Sequence, residues 1–195
     1  MCSTAQMPDI SCHEVPMARR TQRTLTHMLA ACDQIDGAIR AYFLWDDLVS
    51  AITLAGAAER VLSDIQDPKG LLEVDNYSIR SAINLYIKDE HQKAAAKLFR
   101  KEYDFFRHAD KDPNEEITLI EESADYWILF AMCSYRHLGG VMTHDMTAFS
   151  AWFAAKHPEE MKRDHPIIPL SQKITANTSK REYYVMFSKA VPHIS

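Results

Sequence analysis

The stretch ITLIEESADYWILFAMCSYRHL, residues 117–138, decides the fold, because apolar side chains nearly encircle it when it is drawn as a helix. One narrow polar strip interrupts them, formed by Glu121, Glu122, Asp125 and Arg136. A helix that is apolar almost all round belongs in the interior of a bundle. Gly139 and Gly140 follow directly and predict its end. The stretch therefore predicts a central helix that other helices surround.

Three further segments carry apolar residues at steps of three and four positions, the period of a helix. They run from Thr21 to Phe43, from Leu48 to a stop near Asp67, and from Glu90 to Ala109. Shorter helices are predicted over 78–88 and from Asp145 to His157. Together with the central segment, this pattern predicts an all-α, up-down helical bundle of four to five main helices plus a short extra helix.

The two ends of the chain lack this periodicity. Residues 1–18 mix prolines, serines and threonines without an apolar repeat, which predicts a flexible N-terminal arm. Pro166 and Pro169 interrupt the chain after the last predicted helix. We therefore expect the bundle to occupy residues 19–160, and residues 161–195 to form an irregular C-terminal tail that docks on it.

The composition is that of one helical domain. The chain has 195 residues, of which 47% are hydrophobic, and a formal net charge of -5. This charge excludes a surface that is basic all over, so any contact with nucleic acid needs a local patch. No apolar run reaches the roughly 18 residues of a membrane span, and the four cysteines include no CxxC pair. These features predict a cytoplasmic protein without membrane partners and without a required cofactor.

Three acids fall inside the apolar arcs of the predicted helices: Asp36, Glu59 and Glu102. His137 is a fourth polar side chain among apolar neighbours. A buried carboxylate must find hydrogen bonds, a cation or a metal, or take up a proton. One interpretation is a helical metalloprotein or nucleotide hydrolase, and the other is a set of structural tethers. The sequence contains no Glu-x-x-His and no His-Glu-x-x-His, which favours the tethers.

The segment from Glu90 to Ala109 carries a row of cations on the side opposite its apolar residues. Its members are Lys93, Lys97, Arg100, Lys101, Arg107 and His108, interrupted by Asp104. Rows of Lys and Arg bind backbone phosphates, and a histidine beside them can exchange a proton with a ribose hydroxyl or a leaving oxygen. The alternative interpretation is a solvated helix face in an acidic protein.

Two stretches resemble a group of uncharacterised bacterial proteins with HEPN-like helical bundles. They are LAGAAERVL at residues 54–62 and YDFFRHADKDP at residues 103–113. Those proteins carry an A-A-E segment on an early helix and an F-F-K-H-A-D segment on a later one. The resemblance implies a HEPN-like bundle that forms a homodimer and binds or cleaves RNA or nucleotides around His108, without a metal.

The resemblance also implies a role for each matching residue. His108 would act as general acid or base, Arg107 and Arg100 would hold phosphate charge, and Asp104 or Glu59 would orient the histidine. The interval between Arg100 and His108 is longer than the interval between the Arg and the His of HEPN ribonucleases. Arg107, in contrast, comes directly before His108. A third interpretation, besides ribonuclease and metalloprotein, is therefore a non-catalytic interaction module.

Overall fold

Six α-helices with defined bounds occur in the residues that the structure describes. The structure is a computed structural model that describes residues 22–66, 93, 97, 101–102, 104–106, 114–160, 167–172, 174 and 177–190. The helices are α1 His27–Arg40, α2 Leu48–Gln66, α3 Glu121–His137, α4 His144–Lys156, α5 Ile168–Ser171 and α6 Lys180–Ala190. A π-helical turn, Ala41–Trp45, follows α1, and a 3-10 turn, Pro158–Glu160, follows α4.

No strand occurs in the described residues, so the all-α prediction is confirmed for them. None of the helices in these ranges combines the length and the apolar character that crossing a membrane requires. The predicted arm over 1–18 and the predicted helix over 78–88 lie outside the described residues.

The first helix forms where the apolar periodicity predicts it, with shifted ends. Thr26 is its N-cap, and the Thr26 hydroxyl accepts a hydrogen bond from the N–H of Leu29 at 3.2 Å. Helical backbone continues beyond the predicted end at Phe43, through the π-turn Ala41–Trp45. Asp46 ends it in the left-handed conformation, with φ 53°. An aspartate tolerates this conformation better than most residues, because its short polar side chain can form local hydrogen bonds.

The second helix packs closely against the first. Asp47 caps α2, accepting a hydrogen bond at Oδ1 from the N–H of Ser50 at 3.0 Å. A Cβ atom at Gly37 of α1 would lie 3.3 Å from Leu54 Cδ1 of α2, so the two backbones approach where a side chain would crowd. The small residues of α2 that are buried are Ala51, Ala55, Gly56 and Ala58. Small residues thus allow the tight pairing of α1 with α2.

The third helix is buried over much of its surface, and it begins at Glu121 rather than at residue 117. Trp127 is 1% exposed, and Ile128 and Phe130 are fully buried. Two predictions about its polar residues are wrong. Asp125, predicted on the wet strip, is fully buried, and Lys156 of α4 lies 2.9 Å from its Oδ2. His137, predicted among apolar neighbours, is exposed because it is the last residue of the helix.

The C-terminal region corrects the prediction of an irregular tail, because residues 180–190 form the helix α6. Three aromatic side chains at helical spacing face the bundle and are buried: Tyr183, Tyr184 and Phe187. The Tyr184 ring stacks on Phe43 with centroids 5.1 Å apart. The Tyr183 hydroxyl donates to the carbonyl of Ala148 in α4 at 2.7 Å. These contacts show why the segment is helical: a helix brings all three rings to one side.

Candidate functional site

Three lysines of the predicted cationic row are described by the structure. Lys93, Lys97 and Lys101 each have helical backbone and an exposed side chain. Residues four positions apart on a helix lie about 6 Å apart along its axis and share a face. Their four-residue spacing therefore predicts one exposed row of lysines, which we call the lysine face. Asp104 is helical and half-buried.

The remaining predicted site residues of this region are not placed. Arg100, Arg107 and His108 lie outside the described residues. The structure consequently places the cations of the predicted binding set, except Arg100, but leaves the proposed general acid or base unplaced.

The side of the segment away from the lysine face is anchored on α3. Glu102 is 1% exposed and accepts hydrogen bonds from Ser123 Oγ at 2.6 Å and from Trp127 Nε1 at 3.2 Å. Burial raises the pKa of Glu102, although both donors oppose the shift. Phe106 packs against the core from the same segment. The burial predicted for Glu102 is confirmed, and this acid fixes the segment that carries the lysines.

Glu59 is the second acid whose predicted burial is confirmed. Its side chain lies on α2 with 7% exposure, and Ser63 Oγ donates to Glu59 Oε1 at 3.4 Å. Burial raises the pKa of Glu59 to about 7, and the Ser63 hydroxyl opposes this shift. A carboxyl group in this environment exchanges a proton near neutral pH. It can therefore act chemically as an acid or a base if a substrate reaches it.

Asp36 lies where α1 meets the N-terminus of α4. The Thr143 hydroxyl donates to Asp36 Oδ1 at 2.6 Å. Burial raises the pKa of Asp36 to about 6 in spite of that bond, and the nearby carboxylate of Asp145 adds to the shift. Asp145 is itself paired with Arg40 at 2.7 Å and accepts a hydrogen bond from the Tyr184 hydroxyl at 2.6 Å. This cluster joins α1, α4 and α6 through polar contacts.

The four residues of the predicted metal alternative do not converge. Glu102 contacts Ser123 near the start of α3, whereas His137 ends the same helix, on the order of 20 Å away along its axis. Among the described residues, which include all four, no group of three or more His, Cys, Asp or Glu side chains is arranged to hold a metal ion. Asp36, Glu59 and Glu102 each accept a hydrogen bond from a different serine or threonine: Thr143, Ser63 and Ser123.

The sequence reasoning missed a set of charged side chains where α3, α4 and α6 meet. We call this set the ion-pair network; its members are Tyr42, Glu121, Asp125, Lys156, His157 and Lys180. Lys156 Nζ lies 2.6 Å from Glu121 Oε1 and 2.9 Å from Asp125 Oδ2. His157 Nε2 lies 3.1 Å from Asp125 Oδ2. The spacing of Glu121 and Asp125, one turn apart on α3, was a usable signal, because such a pair presents two carboxylates to one neighbour.

Glu121 is the hub of the ion-pair network. The Tyr42 hydroxyl donates a hydrogen bond to Glu121 Oε1 at 3.0 Å, and Lys180 Nζ lies 3.0 Å from Glu121 Oε2. Burial alone favours the neutral acid, but the ammonium groups of Lys156 and Lys180 outweigh it and lower the pKa of Glu121 to about 2. The carboxylate is therefore held ionised, with its oxygens occupied by protein donors. This arrangement fastens helices together.

Comparisons with protein-family models, with curated proteins and with solved structures each found no match. The resemblance to HEPN-like proteins stays a prediction from the two quoted stretches. Because a fold alone does not determine a function, the functional inference rests on the charges, burial and contacts of the side chains described above.

Proposed function

We propose that this protein binds a strand of RNA, whose phosphates lie against the lysine face. The observation that carries the proposal is the exposed row of Lys93, Lys97 and Lys101 on a segment whose other side is fixed to α3. One ammonium group about every 6 Å along the helix axis provides a line of positive charge. Such a line attracts a chain of phosphates and releases their counterions.

The local charge balance supports this proposal in a protein with a net charge of -5. Glu102 is the carboxyl group next to Lys101 in sequence, and it points into the interior to Ser123 and Trp127. Glu102 thus directs its carboxyl group away from the exposed lysine side chains. The lysine face is therefore locally basic, although the net charge of the whole chain is negative.

A HEPN-like ribonuclease dimer is the second candidate, and Glu59 is the observation that favours it. In this version His108 acts as general acid or base, Arg107 and Arg100 hold the phosphate, and Asp104 or Glu59 orients the histidine. The pKa of Glu59, raised by burial to about 7, gives the quoted A-A-E stretch a carboxyl group that titrates near neutral pH. The reaction needs no metal, because the acid, the base and the phosphate-binding cations are all side chains.

The test of binding is fluorescence anisotropy with a labelled single-stranded RNA of about one dozen nucleotides. We expect the K93A/K97A/K101A protein to bind about 100-fold more weakly than wild type in low salt. We also expect the slope of log affinity against log salt to fall by about 2, since each phosphate contact with a single strand contributes about 0.7.

The matched control is R60A/R181A/K189A, which removes three cations that lie on α2 and α6 and so has the same net charge. It should keep wild-type affinity within about threefold, a margin small beside the local effect. Equal losses in the two triple variants would mean that only net charge matters. That result, or the absence of RNA binding by the wild-type protein, contradicts the proposal.

The test of cleavage is incubation of the same RNA with EDTA present, followed by gel separation of the products. Wild type should cut and His108→Ala should not, while both proteins melt at similar temperatures and bind RNA alike. If neither protein cuts RNA, the ribonuclease version fails and the binding proposal stands on its own measurement.

A further inference from the structure

Phe105 follows the last lysine of the lysine face by one helical turn. The backbone is helical at Lys101, Glu102 and Phe105, so a rotation of about 100° per residue sets their positions round the helix. Phe105 therefore lies about 40° from Lys101 and about 60° from the buried Glu102, between the lysine face and the core side. Its half-buried side chain agrees with this border position. The four-residue spacing of the lysines thus continues into an aromatic side chain.

At least one face of the Phe105 ring is left open by its aromatic neighbour. The rings of Phe105 and Phe106 are nearly perpendicular, at 83°, with centroids 5.5 Å apart. A perpendicular contact joins the edge of one ring to the face of the other, so Phe106 covers at most one face of Phe105. Phe106 packs against the core, and Glu102 is anchored on Ser123 and Trp127. A ring held on an anchored segment loses less conformational entropy when a ligand stacks on it.

The charge along the helix changes sign close to this ring. Asp104 comes three positions after Lys101, a spacing that puts the two side chains on neighbouring positions of the helix surface. A phosphate is attracted by the lysines and repelled by the Asp104 carboxylate. An uncharged base suits the Phe105 ring, because stacking on an aromatic side chain requires no charge. The end of the lysine face therefore fits a base better than it fits another phosphate.

We propose that Phe105 stacks on an unpaired base of the strand bound at the lysine face, so that the protein selects single-stranded RNA over duplex RNA. This inference rests on the proposed function and names the form of RNA that the site takes. Every base has a π face, so the selection is for strand form and not for sequence.

Phosphate binding alone predicts the opposite preference. A duplex has the higher density of phosphates and releases more counterions for each contact than a single strand does. A paired base reaches the Phe105 ring only after it leaves its own stack, which an unpaired base does not need to do. The relative affinity for the two forms of one RNA therefore distinguishes stacking on Phe105 from phosphate binding alone.

The experiment measures the fluorescence anisotropy of one labelled RNA of about a dozen nucleotides, either free or annealed to its complement, with the full-length protein in low salt. We expect wild type to bind the free strand about fivefold more tightly than the duplex. Phe105→Leu should weaken binding of the free strand about tenfold, because one stacked base is lost, and should change duplex binding by less than about twofold. Phe105→Tyr keeps an aromatic ring and should stay within about threefold of the wild-type affinity for the free strand.

The matched control is Trp45→Leu, which removes a different aromatic ring, 69% exposed on the π-turn after α1. It should bind both forms of the RNA as wild type does. Wild type that binds the duplex as tightly as the free strand overturns stacking at Phe105, and this comparison needs no variant. Unchanged or equal losses for the two forms in Phe105→Leu overturn it as well. In each of these cases RNA still binds and the lysine face keeps its support, whereas no binding of either form by wild type contradicts the proposed function itself.

Discussion

Two regions of this molecule take carboxyl groups out of solvent and shift their pKa values in opposite directions: Glu121 is half-buried, and Glu59 is buried. In the ion-pair network, Glu121 meets the ammonium groups of Lys156 and Lys180, which overcome its burial and lower its pKa to about 2. Elsewhere, Glu59 meets the hydroxyl of Ser63, and burial raises its pKa to about 7. Two nearby ammonium groups overcome the partial burial of Glu121, whereas the deeper burial of Glu59 is opposed mainly by a neutral hydroxyl, so cations and depth together decide which form of each acid the fold stabilises.

The difference makes the two regions respond to pH in opposite directions. A carboxyl group whose pKa is lowered by folding stabilises the protein above its unfolded pKa, and this contribution is lost as the pH falls towards the folded value. For Glu121 the loss occurs between about pH 4.5 and pH 2. A group whose pKa is raised contributes fully below its unfolded pKa and loses the contribution as the pH rises. For Glu59 this loss occurs between about pH 4.5 and pH 7.

The largest effect is expected from Asp125→Ala, which breaks the ion-pair network at its most buried point. Asp125 is fully buried, and its removal leaves His157 without its carboxylate and Lys156 with one carboxylate instead of two. We expect a loss of about 4 kcal/mol in the free energy of unfolding, measured with urea. The control is Asp33→Ala, which breaks an exposed pair with Arg23 and should change stability by less than about 1 kcal/mol. Comparable losses in the two variants would show that burial adds nothing to the ion pair.

A somewhat smaller loss is expected from Glu102→Ala, which removes an acid that meets only neutral donors in the described residues. The change leaves the Ser123 hydroxyl and the Trp127 N–H buried without their acceptor. Each buried donor left without an acceptor costs about 1 to 3 kcal/mol. We therefore expect the free energy of unfolding, measured with urea, to fall by about 3 kcal/mol. Glu102→Gln keeps a carbonyl acceptor and should recover more than half of this loss. If Gln is as damaging as Ala, the acid is needed as a charge and the contrast between the regions is weaker than stated.

The sign of the Glu59 effect distinguishes the regions most directly. Glu59→Gln removes the titration but keeps the shape, so its stability relative to wild type should rise with pH. We expect the gain to be small near pH 5 and to reach about 3 kcal/mol at pH 8, because the pKa shift from 4.5 to about 7 corresponds to about 1.4 kcal/mol per unit. Thermal melts of both proteins across this pH range provide the measurement. A gain that does not change with pH would contradict protonation of Glu59 as the cause.

The sequence predicted the helical segments and the depth of two acids, because both follow from periodicity. Leu48–Gln66 ends next to the predicted stop, and Glu59 and Glu102 are buried. Periodicity failed where a partner from a distant segment decides the outcome. Asp125 was assigned to solvent, since nothing on its own helix shows that Lys156 of α4 covers it. The prediction of an irregular tail is wrong at residues 180–190, which form a helix whose aromatic side chains pack against the bundle.

In the candidate site, too, helical spacing predicts some features and cannot predict others. Lys93, Lys97 and Lys101 share an exposed face because helical spacing alone puts them there. Spacing within one segment could not say that Asp36, Glu59, Glu102 and His137 fail to converge, since convergence depends on how helices cross. Exposure of Trp45 was equally hidden, because the π-turn that ends α1 turns an aromatic residue of an apolar run into solvent.

The smallest effect is expected at Lys180, and it sharpens the comparison because one substitution should move Glu121 towards the behaviour of Glu59. Lys180→Met removes the ammonium group from Glu121, from Asp46 and from the face of the Tyr42 ring. Lys156 still pairs with Glu121, so the loss at neutral pH should be about 1 kcal/mol. The pKa of Glu121 should rise, because one of its two cations is gone while its burial persists. Acid unfolding should then begin at a higher pH than in wild type, which circular dichroism between pH 2 and pH 6 measures. An unchanged acid midpoint would mean that Lys156 alone holds the carboxylate ionised, and that the number of cations is not what separates the two regions.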